Sequence, residues 1–298
     1  MELEGNSGSR YLPMVLVLLI WGFMNVPTKY ALSEVAPIQM LLMRTGLAVV
    51  LLAPLAWFYE HRLFPDRRDL LVAVIMGITG VAGNNLCFFN AIQNTTLTNT
   101  AIIFATSPMI TSVLAALFLD EKLTPRRIAG IVLALCGTVL LLCNGDLSML
   151  HSLTLNKGDL YELGAAFLCS VMTILGRKIR YSSSLSVTLC NMFSAFVLTL
   201  LYFLFSGEPF NADLSGRATI SVLYCGFFGS ACAYALQQIS IKRIGAGATG
   251  AFLNGSPVLS IVSAMIFMGE RISSLQILSA AVIFFGIFIN ASEKRPIS

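Results

Sequence analysis

The residues of this chain best placed to do chemistry are polar side chains that recur at helical spacing inside apolar runs, where each must be paired or face a cavity. One run carries Asn84, Asn85, Phe88, Phe89 and Asn90, and a later one carries Tyr234, Gln237 and Gln238. Asn85, Phe88 and Phe89 stand at i, i+3, i+4, as do Tyr234, Gln237 and Gln238, so each trio shares one helix face. Tyr234 follows Asn85 by 149 residues, half of the 298 in the chain. Brought together, the two trios make a cavity with amides and a phenol on one wall and aromatic rings on the other. Such a site suits a modest amphipathic solute, zwitterionic or aromatic. The competing role for the same groups is to bond helices to one another, at about 0.6 kcal/mol per contact.

Further candidates flank this pair. Trp21 and Asn25 are four residues apart on one face of the first apolar run, and Trp21 sits mid-run, away from the interfaces where tryptophan is usual. Asn254 lies one turn before Pro257. Ser107-Pro108 and Ser256-Pro257 fall near the middle of two other apolar runs, where a proline removes a backbone bond and kinks the helix. These four are read as kink and gating positions. Glycines at 77, 80, 83, 226 and 229, and at 245, 247 and 250, permit close helix approach. Arg44, inside an apolar run, would cost about 2.5–3.5 kcal/mol facing lipid, so it is expected to snorkel or to pair with a carbonyl or carboxylate. Asp159 and Glu162 share a face at the start of another run and could pair with a cation.

Other chemistries lack their residues. His61 and His151 both fall between apolar runs, so no helical pair of histidines can hold a catalytic metal. No GxSxG elbow or phosphate-binding glycine loop occurs. The seven cysteines lie singly in apolar stretches without a CxxC pair, as small packing residues do. No catalytic residue, metal or cofactor is expected, and the chain is not expected to be an enzyme.

The elements that position these residues follow from composition. Apolar residues make up 56% of the chain and charged residues 11%, with a mean hydropathy of +0.81, far more apolar surface than one soluble core hides. A span takes roughly 20 apolar residues. Ten fit, at 11–30, 37–58, 69–90, 97–119, 125–143, 158–178, 184–205, 216–238, 246–268 and 274–292. Glu2 and Glu4 precede the first, so it is expected to be a retained helix and not a secretory signal. Of the 19 Lys and Arg residues, fourteen fall on one side of this topology and four on the other, with Arg44 inside a span. That bias places both termini in the cytoplasm. The expected fold is an all-α membrane protein of ten transmembrane helices.

The offset of 149 recurs along the chain. It superposes Ser107-Pro108 on Ser256-Pro257, Glu121-Lys122 on Glu270-Arg271, Gly137 on Gly286, and Gly77 and Gly80 on Gly226 and Gly229. Two repeats, 1–145 and 146–298, therefore carry five spans each. An odd number starts the second from the opposite membrane face, so the repeats are inverted, a device of secondary transporters.

Trp21-Gly22, Lys29, Arg44, Ser107-Pro108, Glu121-Lys122-Leu123-Thr124 and Gly130 to Gly137, echoed by Gly158-Asp159-Leu160, Ser256-Pro257, Gly269-Glu270-Arg271-Ile272 and Gly286, resemble the drug/metabolite transporter superfamily, and within it the ten-helix EamA family. The resemblance spans nearly the whole chain. It implies alternating-access transport of small organic solutes, foremost efflux of amino acids or related metabolites. Uptake or exchange of a nucleoside-derived metabolite, drug efflux, and a non-transporting scaffold or receptor are the alternatives. The short loops imply a bacterial inner membrane. Expected partners are a small-molecule substrate and the lipid bilayer, with a homodimer compatible and nucleic acid excluded by the dispersed net charge of +4.

Overall fold

The computed structural model describes residues 10–95, 100, 103–142, 156–256, 258–259, 262, 266 and 273–291, and every element among them is helical. In chain order these are α1 (Leu12–Gly22), α2 (Asn25–Leu32), α3 (Pro37–Glu60), α4 (Arg67–Met76), α5 (Asn84–Asn94), α6 (Ser107–Leu119) and α7 (Pro125–Leu142). There follow α8 (Lys157–Lys178), α9 (Ser184–Ser206), α10 (Gly216–Tyr224), α11 (Ala233–Ile244), α12 (Ala246–Phe252) and α13 (Ser274–Ala291). A π-helical turn, Gly77–Gly83, joins α4 to α5, and another, Cys225–Cys232, joins α10 to α11. The two π turns occupy the same place in the two repeats, each opening where a glycine-rich run removes side-chain constraint on the backbone.

Among the described residues, five continuous helices are long and apolar enough to cross a membrane: α3, Arg67–Ala91, α8, α9 and Gly216–Ile244. The expected first span is broken instead, with α1 and α2 meeting at 43°. α6 and α13 are shorter apolar helices. The expected spans at 97–119 and 246–268 are also interrupted. In the first, residues 105–106 form a turn and Pro108 sits in the opening turn of α6, where its missing N–H costs nothing. In the second, α12 passes into a 3-10 turn at Leu253–Gly255, the equivalent place in the repeat. The outward faces are apolar, with Phe205 88% and Phe58 75% exposed, as a surface solvated by lipid requires.

The repeats meet through reciprocal contacts. α7 and α13 lie together along glycines that share the repeat offset. A methyl group built on Gly137 would lie 2.9 Å from Ile283 Cγ1 and 3.1 Å from the Ser279 carbonyl oxygen. One built on Gly286 would lie 2.6 Å from both the Ala134 nitrogen and the Gly130 oxygen, the positions equivalent to Ile283 and Ser279. Rising residue numbers on α13 meet falling numbers on α7, so the two helices run antiparallel. The π turns repeat the pattern, since Gly77–Gly83 packs on α9 and Cys225–Cys232 on α3, its repeat equivalent.

Polar clamps join the connections at each end of the bundle. At one end the Asp69 carboxylate accepts the Tyr181 N–H at 2.8 Å and the Arg180 N–H at 3.4 Å, and Lys242 Nζ donates to the Ser182 carbonyl. Arg68 stacks 4.9 Å from the Tyr181 ring centroid. At the other end Glu34 accepts from Ser215 N–H (2.8 Å) and Oγ (2.5 Å), bonds that hold its carboxyl below the usual carboxylate range. Here too Asp159 closes a capping box with Asn156 and accepts from Thr95 Oγ1 at 2.8 Å. Connections that the Lys/Arg distribution assigns to one side are thus bonded to one another. Asp69→Ala strands two backbone donors and is expected to lower stability by about 1–3 kcal/mol, read as a lower Tm in detergent.

Candidate functional site

α3 carries Arg44 two turns in, only 3% exposed. Its Nε donates to Ser230 Oγ at 2.8 Å and one terminal nitrogen donates to Asn85 Oδ1 at 3.1 Å. Asn85 in turn donates to the Val81 carbonyl at 2.6 Å and to the Tyr234 hydroxyl at 3.4 Å. The Tyr234 ring meets Trp21 edge-on, centroids 5.4 Å apart, and Trp21 Nε1 donates to the Gly229 carbonyl at 3.1 Å. Val81, Gly229 and Ser230 all lie in the π turns. Widening the helix there frees carbonyls from the ordinary ladder, and side chains of the site take them up.

Of the arrangements its sequence position suggested, Arg44 takes neither snorkelling nor a carboxylate partner but an amide carbonyl, that of Asn85, together with the Ser230 hydroxyl. Its bonded partners are a hydroxyl and an amide, which satisfy hydrogen bonding without neutralising charge. The two bonds use two of the five guanidinium N–H donors. A positive field stays in the centre of the bundle, strengthened by the low dielectric around it. Asn85 and Tyr234 are repeat equivalents in direct contact, so they straddle the line about which the halves are related.

The other expected residues have distinct places. Asn84 donates to the Ala165 carbonyl at 2.8 Å and Gln238 to the Gly176 carbonyl at 2.8 Å, each tying its helix to α8. Phe89 is buried with Ala31, Met40, Leu41, Val222 and Cys225, and Phe88 packs against the same cluster. Gln237 and Asn254 are 2% exposed, and Gln237 Oε1 and Asn254 Nδ2 have no partner among the described residues. Ser107 Oγ is in the same state, while its carbonyl accepts from Ser170 Oγ at 3.1 Å beside the break before α6. Native proteins leave few buried polar atoms unbonded, so these are free to meet a ligand or water. Ser256 is helical just after the 3-10 turn. The Asn25 side chain and Pro257 lie outside the described residues.

Ser230 escaped sequence reasoning. The repeat places it opposite Val81, so symmetry gave no polar match, and its only signal was a hydroxyl one turn before Tyr234. The glycine runs were legible as packing, and Gly80 and Gly229 do accept Met172 and Met24 against their bare backbones. Their second consequence, the π turns, was not visible.

An all-helical bundle of two like halves, apolar outside and polar where the halves meet, is the build of an integral membrane transporter. The model of the EamA-like transporter family matches residues 9–143 and 156–292. The chain belongs to that family, and it is a transporter. It is 26% identical over 270 residues to the uncharacterized transporter YyaM of Bacillus subtilis, covering 90% of this chain and 88% of that one. It is 26% identical over 291 residues, 94% of each chain, to a protein of Salmonella typhimurium named a probable amino-acid metabolite efflux pump. A solved structure superposes with a TM-score of 0.80 at 19% identity, covering 95% of this chain and 96% of its own, which establishes the shared fold.

Proposed function

We propose that this chain is a secondary transporter that exports amino acids or related metabolites by alternating access, from a bacterial inner membrane. The observation that carries the reading is the reciprocal contact of α7 and α13 together with the Asn85–Tyr234 bond between repeat equivalents. Antiparallel partners related by a two-fold require an axis perpendicular to the helices, hence in the membrane plane. Two inverted halves of five spans, 1–145 and 146–298, with both termini cytoplasmic, satisfy that requirement. Exchanging the conformations of the halves turns a site on the axis from one face to the other. Breaks before α6 and after α12 supply the hinges, with Ser107-Pro108 and Ser256-Pro257 beside them.

Chemistry at the axis supports the cargo class. Arg44 offers a carboxylate unpaired guanidinium donors, Trp21 and Tyr234 offer ring surfaces, and Asn85, Gln237 and Asn254 offer amides. Phe88, Phe89, Asn84 and Gln238 surround that set as its packing support. Naming of relatives as amino-acid metabolite efflux pumps agrees with a zwitterionic substrate.

Uptake of a panel of radiolabelled amino acids into everted vesicles containing the protein tests the reading. Accumulation of one class above empty vesicles is expected, and silence across the panel would overturn the cargo assignment. Asn85→Ala and Gln237→Ala should cut that uptake roughly fivefold or more, the equivalent of losing about one hydrogen bond of 1 kcal/mol. Membrane abundance should not change.

A further inference from the structure

Glu162 is fully buried in α8, and neither carboxylate oxygen has a hydrogen-bond partner among the described residues. Asp159, one turn earlier on the same face, is the opposite case, with donors from Thr95 and Asn156 on its two oxygens. The buried cations are engaged elsewhere, Arg44 with Ser230 and Asn85 and Arg127 with Glu121 at 2.9 Å. An ionised carboxylate so placed carries a desolvation penalty of several kcal/mol with nothing to offset it.

The surroundings exclude a hidden counter-ion among the described residues. The elements packed against α8 are α4 with its π turn, α5, α6, α11 and α12. α6 and α12 contain no charged side chain. Arg67, Arg68 and Asp69 of α4 and Lys242 and Arg243 of α11 gather at the far end of α8, where Arg177 meets Lys242 and Asp69 meets Tyr181, about 20 Å along the helix from Glu162. On α8 itself Lys157 and Tyr161 point outward. The titratable groups within electrostatic reach of Glu162 are the Cys87 thiol of α5 and the Cys169 thiol two turns along α8, and Cys169 is in turn within reach of the Tyr234 phenol. Neither carboxylate oxygen bonds a member of the Arg44–Asn85–Tyr234 centre, so the carboxyl does not belong to it.

We propose that Glu162 is the proton-binding residue that couples transport to a proton gradient. The inference rests on the alternating-access reading. In the conformation seen here Glu162 is dry and holds a proton as the neutral acid. In the alternate conformation water reaches it and the carboxylate forms. With the topology above, α8 begins at the outer face, so the proton loads from outside and leaves to the cytoplasm as cargo moves outward. One proton is bound and one released per cycle, with no covalent step.

Two measurements on the full-length protein in lipid separate this proposal from the cargo assignment. The first needs no substrate: infrared difference spectra across a pH titration. Wild type is expected to show a protonated-carboxyl carbonyl band that vanishes as pH rises, absent in Glu162→Gln and retained in Glu162→Asp. Identical spectra for wild type and Glu162→Gln would overturn the proposal. The second compares labelled amino-acid accumulation driven by an acid vesicle interior in everted vesicles with gradient-free counterflow. Glu162→Gln, an isostere of the neutral acid, should lose the first and keep the second. Gradient-driven accumulation undiminished in Glu162→Gln would overturn proton coupling here. Silence of wild type in counterflow would fail the cargo class, with the infrared titration still deciding Glu162.

Discussion

Arg44→Met is expected to cut transport by a factor on the order of ten to a hundred while leaving a folded protein whose stability changes by no more than about 2 kcal/mol. The guanidinium sits in the bundle centre with a hydroxyl and an amide as its bonded partners. Removing it deletes a desolvated charge, a gain, and strands Asn85 Oδ1, a loss of about 1–3 kcal/mol. These offset, so the net change should stay within about 2 kcal/mol. Transport has no such offset. Each charge-assisted bond to a substrate carboxylate contributes about 1.5–3 kcal/mol, so uptake should fall by a factor on the order of ten to a hundred. Arg44→Lys keeps the charge but not the planar fork, and should recover part of the activity. Thermal unfolding beside vesicle uptake checks the pair. A variant that fails to accumulate in the membrane would mark Arg44 as a folding residue and remove it from the site.

Gly286→Val should be strongly destabilising although it lies outside that centre. Its new side chain would begin 2.6 Å from the Ala134 nitrogen and the Gly130 oxygen, and backbone cannot rotate away as a side chain can. α7 and α13 must separate, at a cost of about 3 kcal/mol. Gly137→Val meets the mirrored contacts and should behave alike. The double variant should cost less than twice either, because one separation relieves both collisions. Gly164→Ala is the control: its methyl would find Cys87 Sγ at 3.7 Å, ordinary contact, and helix propensity favours alanine. Unfolding midpoints in detergent decide it, and a tolerated Gly286→Val would dissolve the reciprocal interface.

The sequence foretold most where hydrophobicity and symmetry speak directly. Apolar runs located α3, α8 and α9 to within a few residues, and the offset paired Gly137 with Gly286 and Asn85 with Tyr234 before any coordinates. Single-run hydropathy does not register a change in helix type, so the π turns and the bend between α1 and α2 went unseen. Ser-Pro marked the interruptions in the fourth and ninth spans, though a mid-span kink was expected and the chain breaks just before Ser107 instead. Helical spacing grouped Asn85 with Phe88 and Phe89. All three follow the π turn within α5 and keep that face, with the aromatics packed into the cluster with Met40 and Val222 and Asn85 bonded to Arg44. Arg44 could be recognised as costly from its place in an apolar run, but its partners, Asn85 in the same half and Ser230 in the other, are both distant along the chain and beyond the reach of local pattern.

The central claim is that two halves of opposite orientation share one path between them. Phe64 and Asp213 are equivalent positions in those halves, in exposed connections that the proposed topology puts on opposite sides of the membrane. Phe64→Cys and Asp213→Cys, each made in a background stripped of the seven native cysteines, can be tested with a membrane-impermeant thiol reagent on intact cells. Labelling of position 213 from outside, and of position 64 only after permeabilisation, is the predicted result. Labelling of both positions from the same side would contradict the inversion, and with it the alternating exchange on which export depends.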